Sequence, residues 1–299
     1  MPQHPAKFGV ARRLSRAINR ALGVAGVRLV RTSTIRNLQA ARDAADRYRI
    51  IAVEDYLVDL LRLSLRPLDP EGLVRLQIVT DHPVAIHSAD HLVPHGAKHD
   101  STRHPRFVVA CGKFFGKKIF HLDLGCAGGG LVWDFLIAGH QSYGIEGSDY
   151  PLVNQRALWR VIPDNLFTAD VTEPFHFVNG EGARRRFDLI TAWEVLEHLP
   201  RESLPRFFEN LRHNLGDRGL FVASVATVPH VDMETGTVWH VTVEPRTWWV
   251  EQFERAGFER VFDVFAHRDY VRGSANPRTD DPDHEADPDR GFHLVVRAP

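Results

Sequence analysis

Cysteine is scarce in this sequence, which has only Cys111 and Cys126 among its 299 residues. We expect no disulfide between them, because Cys111 precedes a predicted buried strand and Cys126 lies inside the glycine-rich turn that follows that strand. Such sparse cysteine usage is typical of a protein kept in a reducing compartment, so we expect a cytoplasmic location.

Long apolar runs and an excess of either charge are also missing. No run of 18 apolar residues occurs, so no transmembrane helix is expected. Residues 1–30 lack the uninterrupted apolar core of a signal peptide. The formal net charge is −1 at pH 7, so nothing indicates nucleic acid as an obligatory partner. A chain of this length can bury the core of one large α/β domain and carry an extension.

Acidic residues are absent from residues 1–42, where basic side chains are concentrated. Within this region, residues 8–22 place apolar side chains on one face of a predicted helix and four arginines on the other. Such a helix can lie on an anionic membrane surface, or it can pack on its own protein or on a partner chain. A second helix is predicted over about residues 34–65, so residues 1–79 are interpreted as a helical N-terminal extension.

Residues 80–117 begin with a histidine-rich stretch that we expect to form a loop over the edge of the sheet. His91, His95 and His99 have the spacing of one helix face and could ligate zinc. A proline and a glycine interrupt that helix, however, so we expect no metal site. The segment is instead predicted to be an ordered loop that lines the ligand pocket.

The stretch from Lys118 to Asp149 organises the rest of the chain. It predicts a strand over residues 119–124, a glycine-rich turn, a helix over about residues 131–138 and a second strand ending at Glu146. In such a turn, bare backbone lets a ligand approach closely and the free N–H groups of the helix start point at it; glycines stand at positions 125, 128, 129 and 130. With Asp123 ending the first strand, this pattern is typical of a nucleotide site at the carboxyl edge of a parallel sheet.

The remaining sequence predicts the other strands of an α/β sheet. Asp170 follows the third strand, and Trp193 and Glu194 stand at the end of the fourth, where we expect them to face the pocket. The last two strands have room to pair antiparallel. This order predicts a doubly wound, mostly parallel seven-stranded sheet with an antiparallel last strand. Strands are predicted over residues 165–169, 189–192, 220–226, 258–266 and 291–298, and helices over about residues 151–160, 204–215 and 244–256.

Residues 118–298 resemble the class I S-adenosylmethionine (SAM)-dependent methyltransferases. The resemblance rests on the Asp-x-Gly-x-x-x-Gly turn that starts at Asp123, the acids Glu146 and Asp170, and the run EVLEHL over residues 194–199. In that family the turn wraps the methionine part of SAM, the second acid binds both ribose hydroxyls, and the third binds adenine together with the next backbone N–H. The resemblance therefore implies SAM as cofactor, a domain over residues 118–299, and the following cofactor-binding residues: Asp123, Gly125, Cys126, Ala127, Gly129, Glu146, Gly147, Asp170, Val171, Trp193 and Glu194.

Methyl transfer from a sulfonium needs aligned reactants and exclusion of water rather than a covalent nucleophile. A hydroxyl acceptor also needs a general base, and imidazole is matched to neutral pH. His240 is the predicted base, with His198 and His230 as alternatives. We predict a small-molecule or sugar-containing acceptor, such as a glycan precursor.

Two other functions stay open at this point. Gly125, Ala127 and Gly130 form an incomplete G-x-G-x-x-G motif, which would fit a nicotinamide-dependent oxidoreductase. A non-catalytic subunit with the SAM fold would bind SAM without turnover and would use the basic N-terminal helix to contact a partner or a membrane.

Overall fold

The computed structural model describes residues 73–233, 235–265, 269 and 291–298. The two helices predicted before residue 66 lie outside the described residues, as do residues 270–290. The strands are β1 Leu76–Thr80, β2 Phe120–Leu124, β3 Gln141–Glu146, β4 Leu166–Thr168, β5 Phe175–Asn179, β6 Arg184–Arg185, β7 Phe187–Trp193, β8 Leu215–Ala226, β9 Glu259–Arg260 and β10 Gly291–Arg297. The α-helices are α1 Ala89–Leu92, α2 Gly96–His99, α3 Pro105–Phe115, α4 Gly130–Ile137, α5 Tyr150–Val153, α6 Leu204–Asn214 and α7 Arg246–Arg255.

The central sheet has seven strands in the order β4-β3-β2-β7-β8-β10-β9. Strands β4, β3, β2, β7 and β8 run parallel, and β10 pairs antiparallel with both β8 and β9. The predicted doubly wound sheet with an antiparallel end is confirmed. Because the first five strands are parallel, their carboxyl ends meet at one edge, which is where ligands bind in such sheets.

Helices cover both faces of this sheet, as the side chains of β7 illustrate. Successive side chains of a strand point to opposite faces, so Ile190 packs in the cluster formed with α6 and α7, whereas Leu189 packs in the cluster formed with α3 and α4. Both residues are fully buried. A strand that is buried on both faces is mainly apolar, and in the sequence FDLITAW only Asp188 and Thr191 are polar.

A second, three-stranded antiparallel sheet in the order β1-β5-β6 was not predicted. Residues 76–79 were assigned to the helical extension, but with Thr80 they form β1, which pairs with β5 from Leu76↔Asn179 to Thr80↔Phe175. Alternation in the sequence FHFVN accounts for β5, because Phe175 and Phe177 are buried against the main core while His176 and Val178 are only partly buried. The predicted boundary at residue 79 therefore falls inside β1, and the division into domains stays a prediction.

The helix predicted over residues 151–160 is interrupted. Helix α5 ends at Val153, and a 3₁₀ turn follows over Ala157–Arg160. Gln155 and Ala157 both have φ 47°, in the left-handed region that an α-helix does not allow. The strand predicted over residues 258–266 is likewise shorter, since β9 comprises only Glu259–Arg260.

Residues 80–117 contain three helices rather than a continuous loop. Helices α1 and α2 are separated at the proline that follows Val93, as the sequence indicated, and α3 occupies Pro105–Phe115. Asp90 holds the start of α2, because its carboxylate oxygens accept hydrogen bonds from the backbone N–H groups of His95, Gly96 and Ala97 at 2.7–2.8 Å.

Candidate functional site

Two buried carboxylates mark the carboxyl edge of the central sheet. Asp123 and Glu146, in the neighbouring strands β2 and β3, are 3% and 6% exposed. The pKa of each carboxyl is raised to about 7, mainly by burial, and the charge of Glu146 contributes to the shift of Asp123. The two side chains therefore interact, and because Asp123 lies opposite Gly144 in the parallel register, Asp123 and Glu146 point to the same face of the sheet.

The Glu146 carboxylate is fixed by the glycine-rich turn. One of its oxygens accepts a hydrogen bond from the N–H of Ala127 at 2.8 Å, and the other accepts one from the N–H of Ser148 at 3.1 Å. Ala127 has φ 44°, and its carbonyl accepts a hydrogen bond from Nε1 of Trp159 at 2.7 Å, which holds this strained conformation in place. The carboxylate keeps lone pairs that can accept from a ribose diol.

Asp123 belongs to a buried hydrogen-bonded chain that the sequence analysis missed. Its Oδ1 accepts from Oγ1 of Thr191 at 2.6 Å, Thr191 contacts Nε2 of His121 at 2.8 Å, and Nδ1 of His121 contacts Oγ of Ser142 at 2.7 Å. Burial holds the pKa of His121 well below its usual range, so the imidazole is neutral. Since the Thr191 hydroxyl donates to Asp123, Nε2 of His121 donates to Thr191 and Nδ1 accepts from Ser142.

The four glycines in the turn stand where a Cβ would come too close to other atoms of the chain. Gly125 has φ 70°, and a Cβ there would lie 2.5 Å from Cγ2 of Val195. At Gly130 a Cβ would lie 2.4 Å from the carbonyl oxygen of Thr102, and at Gly128 it would lie 2.8 Å from Ser101. At Gly129 a Cβ would lie 2.8 Å from Leu166, so all four glycines make room for other parts of the chain. That they also clear space for a ligand stays a prediction.

The chain that passes over these glycines is the covering segment, residues 82–104. Its backbone pairs with the ends of β3 and β4 through two hydrogen bonds, Ala85 N to Gly147 O and Asp170 N to His82 O, at 2.8 and 3.0 Å. The covering segment therefore contacts this edge of the sheet and contains the short helices α1 and α2, and its role as a cover of the pocket stays a prediction.

A buried ion pair fastens the far end of the covering segment to α4. Arg103 donates through Nε and NH2 to Oδ1 of Asp134 at 2.7 and 2.6 Å, and the N–H of His104 donates to its Oδ2 at 2.7 Å. The Asp134 side chain is 1% exposed, so these donors satisfy a carboxylate that water does not reach.

Two predicted cofactor residues have buried side chains, and a third has a strained backbone. The Cys126 thiol is buried, which raises its pKa, and it packs against Gly144 beneath the turn. The ring of Trp193 packs on Phe107 at 5.1 Å between ring centroids instead of facing the pocket. Glu194 has φ 53°, a conformation that marks strain at the end of β7.

Asp170 and Val171 follow β4 as predicted. Oδ1 of Asp170 accepts from the N–H and the hydroxyl of Thr172 at 2.9 and 2.6 Å, which makes an Asx turn. Val171 is 8% exposed. This turn fixes the peptide after Asp170, and the adenine contact stays a prediction.

Three histidines that are distant in sequence meet beyond the ends of β7 and β8. The ring of His240 lies 4.9 Å from that of His198 and 5.2 Å from that of His230, between centroids. Burial lowers the pKa of His198 to about 4, and it also lowers that of His230. We call His198, His230 and His240 the histidine cluster, and its first and third members sit deeper than His230.

Asp90 of the covering segment interacts electrostatically with both Glu146 and the histidine cluster. The charge of Asp90 raises the pKa of Glu146 and also that of His198, although in His198 burial prevails. In addition, His95 of the covering segment lies 5.8 Å from His230 and 5.3 Å from Trp239, between ring centroids. The carboxylate pair and the histidine cluster therefore border one region under the covering segment.

A cavity of about 500 Å³ lies elsewhere, beside Lys117, Lys118 and Arg184–Arg186. These residues precede β2 and β7, so the cavity is at the amino edge of the sheet, opposite Asp123. It is not the predicted cofactor site.

A family model described as a methyltransferase domain matches residues 97–264, more than half of the chain. The chain belongs to the methyltransferase domain family. It is a SAM-dependent methyltransferase, and the predicted cofactor is confirmed by this membership. The nicotinamide-dependent alternative does not fit the family.

Solved structures with a similar fold share little sequence with this methyltransferase. A TehB-like SAM-dependent methyltransferase from Corynebacterium glutamicum ATCC 13032 is 18% identical, covering 65% of this chain and 88% of its own, with a TM-score of 0.42. A SAM-dependent methyltransferase from Clostridium acetobutylicum ATCC 824 is 13% identical, covering 70% and 95%, with a TM-score of 0.45. The glycopeptide N-methyltransferase MtfA, complexed with SAM, is 15% identical, covering 64% and 87%, with a TM-score of 0.40. No curated protein matches the chain by sequence.

Among the described residues, no helix has the length and apolar character that a bilayer crossing requires. The predicted contact of the basic N-terminal helix with a membrane or a partner falls outside those residues and stays a prediction.

Proposed function

We propose that this methyltransferase transfers a methyl group from SAM to a hydroxyl of a small-molecule or sugar-containing acceptor in the cytoplasm. In this proposal Glu146 binds the ribose, the turn after Asp123 holds the methionine part, and His240 accepts the proton of the acceptor. The imidazole of His240 carries the proposal, because its orientation suits a base.

Nδ1 of His240 lies 2.6 Å from the carbonyl oxygen of Val228. A carbonyl can only accept, so Nδ1 carries the proton and Nε2 keeps a free lone pair. The backbone around His240 is fixed as well, because the N–H groups of Val241 and Thr242 both donate to the carbonyl of Glu197 at 2.9 Å. An imidazole held in this orientation presents Nε2 as the atom that accepts a proton.

The chemistry of the acceptor atom explains why a base is needed. An aliphatic hydroxyl is a poor nucleophile until its proton is removed during attack, whereas a neutral amine attacks through its own lone pair. Three imidazoles beside a SAM pocket therefore favour an oxygen acceptor. The contact of His95 with His230 and Trp239 closes the covering segment over the histidine cluster, which supports a small acceptor rather than a folded one.

The direct test incubates the full chain with SAM carrying an isotopically labelled methyl group and with a panel of nucleotide sugars, lipid-linked sugars and matched amino sugars. Mass spectrometry with fragmentation then locates the label. We expect label on oxygen, a loss of kcat of about a hundredfold or more in His240→Gln, and full activity in His213→Gln, whose exposed side chain lies on α6.

Label found on nitrogen, or unchanged kcat in His240→Gln, would contradict the proposal. Binding of SAM without turnover on any acceptor would instead favour the non-catalytic subunit.

A further inference from the structure

A buried carboxylate beside the histidine cluster has an oxygen that nothing in the described residues satisfies. Glu197 is 0% exposed. Its Oε1 accepts from the N–H of Ala226 at 3.2 Å, but its Oε2 has no hydrogen-bond partner among the described residues. Leaving such an atom unpaired away from water is costly, so a buried carboxylate oxygen of this kind calls for a donor or a cation.

Two imidazoles face that carboxylate. Glu197, His198 and His240 each offer one ligand atom, and all three atoms lie within 4.8 Å of one another. Ligand atoms about 2.0–2.2 Å from one metal ion are separated by roughly 3–4 Å, so a small adjustment of side chains brings these three to a common ion.

The histidine geometry matches that of metal ligands in proteins. A metal-binding histidine commonly donates its second ring N–H to a backbone carbonyl or a carboxylate, which fixes its tautomer. Nδ1 of His240 has this arrangement with the carbonyl of Val228, so Nε2 is available as a ligand.

The three residues are also held in place before anything binds. Glu197 and His198 form a 3₁₀ turn, and the segment with His240 is tied to that turn by the hydrogen bonds to the carbonyl of Glu197. The hydroxyl of Thr242 adds a third tie, donating to the carbonyl of Leu199 at 2.6 Å. Pre-ordered ligands reduce the entropy lost on binding.

The group formed by Glu197, His198 and His240 lies next to the glycine-rich turn after Asp123. Val195, two residues before Glu197, is the residue against which Gly125 of the cofactor turn packs. Glu194 interacts electrostatically with both Glu197 and His198, so a second carboxylate adds negative charge to the site. A divalent cation would offset that charge.

We propose that Glu197, His198 and His240 bind one divalent first-row transition metal ion next to the cofactor turn. Mixed imidazole and carboxylate ligands suit ions such as Zn²⁺, Fe²⁺ and Mn²⁺ better than Mg²⁺, which prefers oxygen ligands alone. Three protein ligands leave at least one position for an oxygen of the acceptor.

This inference rests on the hydroxyl acceptor of the proposed function, and it replaces the role proposed there for His240. Metal coordination lowers the pKa of a bound hydroxyl, and Nε2 of His240 then serves as a ligand instead of the base. The hydroxyl proton passes to the imidazole of His230. The resulting oxygen anion attacks the methyl carbon, the carbon–sulfur bond breaks, and its electron pair stays on the sulfur.

The test is metal binding by the full chain after treatment with a chelator, followed by isothermal titration calorimetry with Zn²⁺ and with Mn²⁺. We expect one equivalent of ion per chain, bound at least tenfold more weakly in Glu197→Gln, His198→Ala and His240→Ala. The control His213→Ala should bind like the wild type. Glu197 also accepts a hydrogen bond from the N–H of Ala226, so Glu197→Gln could unfold the protein. In that case the two histidine variants still test the metal site.

Equal binding in the histidine variants and in the control would overturn the metal site, as would no binding by the wild type. Product analysis separates this result from a failure of the proposed function. Label on oxygen without site-specific metal binding would leave only the metal site refuted, whereas metal binding that depends on these residues with no label on oxygen would support the site and refute the acceptor.

Discussion

Replacing Glu146 by Gln tests how the cofactor is held. In the wild type, each carboxylate oxygen already accepts one backbone N–H, from Ala127 and from Ser148. A glutamine keeps one accepting oxygen but turns an NH₂ group toward the other backbone donor. The variant therefore loses the negative charge and one of the two acceptors for the ribose diol.

The expected size of the effect follows from these bonds. A hydrogen bond to a charged group contributes about 1.5–3 kcal/mol and a neutral one about 0.5–1.5 kcal/mol, so losing the charge and one acceptor costs about 2–3 kcal/mol of SAM affinity. Since about 1.4 kcal/mol is a factor of ten, the Kd should rise roughly 30- to 150-fold.

Isothermal titration calorimetry with SAM at pH 8 measures this, because Glu146 is ionised above its pKa of about 7. Wild-type affinity should also weaken as the pH falls from 8 to 6, as the carboxylate takes up a proton, and this dependence should be smaller in the variant. Glu181→Gln, at an exposed position between β5 and β6, is the matched control. A variant that is folded and binds SAM within twofold of the wild type would show that Glu146 does not bind the cofactor.

Two further predictions concern stability. Burial raises the folded-state pKa of Asp123 to about 7, so between about pH 4 and pH 7 the folded form holds a proton that the unfolded form has released, and stability falls as the pH rises. Thermal unfolding should therefore show Asp123→Asn gaining on the wild type between pH 5 and pH 8, and a constant difference would refute the cause given. Gly130→Ala should lower the free energy of unfolding, measured in urea, by more than about 1 kcal/mol, because the added Cβ would meet the Thr102 carbonyl. The control Gly180→Ala places its Cβ in open space and should not lower it. Equal stability of both variants would contradict this packing at Gly130.

The sequence predicted the parts of the fold that local patterns determine. The apolar run before Asp123 and the glycines after it indicated β2 and α4 within a residue or two, and the succession of elements predicted a mostly parallel seven-stranded sheet with an antiparallel end. Helix α6 was also predicted, because its apolar positions follow a helical period.

Features that depend on contacts between residues far apart in the sequence were not predictable from local patterns. Strand β1 is stabilised by β5, about a hundred residues later, and five residues of alternating character alone do not fix such a pairing. The neutral state of His121 was not predictable from local sequence either, because its hydrogen-bond partners Ser142 and Thr191 lie on two different neighbouring strands.

At the site, the three histidines named from the sequence lie close together, and their catalytic role stays a prediction. His198, His230 and His240 were chosen by their position after the fourth and fifth strands, but their proximity results from backbone hydrogen bonds to Glu197. Zinc was considered only for closely spaced histidines, whereas the site proposed above joins residues more than forty positions apart. Spacing along the chain reveals ligands on one helix but not ligands on separate loops.

A crystal structure with S-adenosylhomocysteine tests the account most directly. We expect both ribose hydroxyls within hydrogen-bonding distance of the Glu146 carboxylate, the homocysteine part against the turn after Asp123, and the sulfur open toward His240. A ligand whose ribose lies away from Glu146, or whose sulfur is separated from His240 by the body of the protein, would contradict both the cofactor site and the acceptor site.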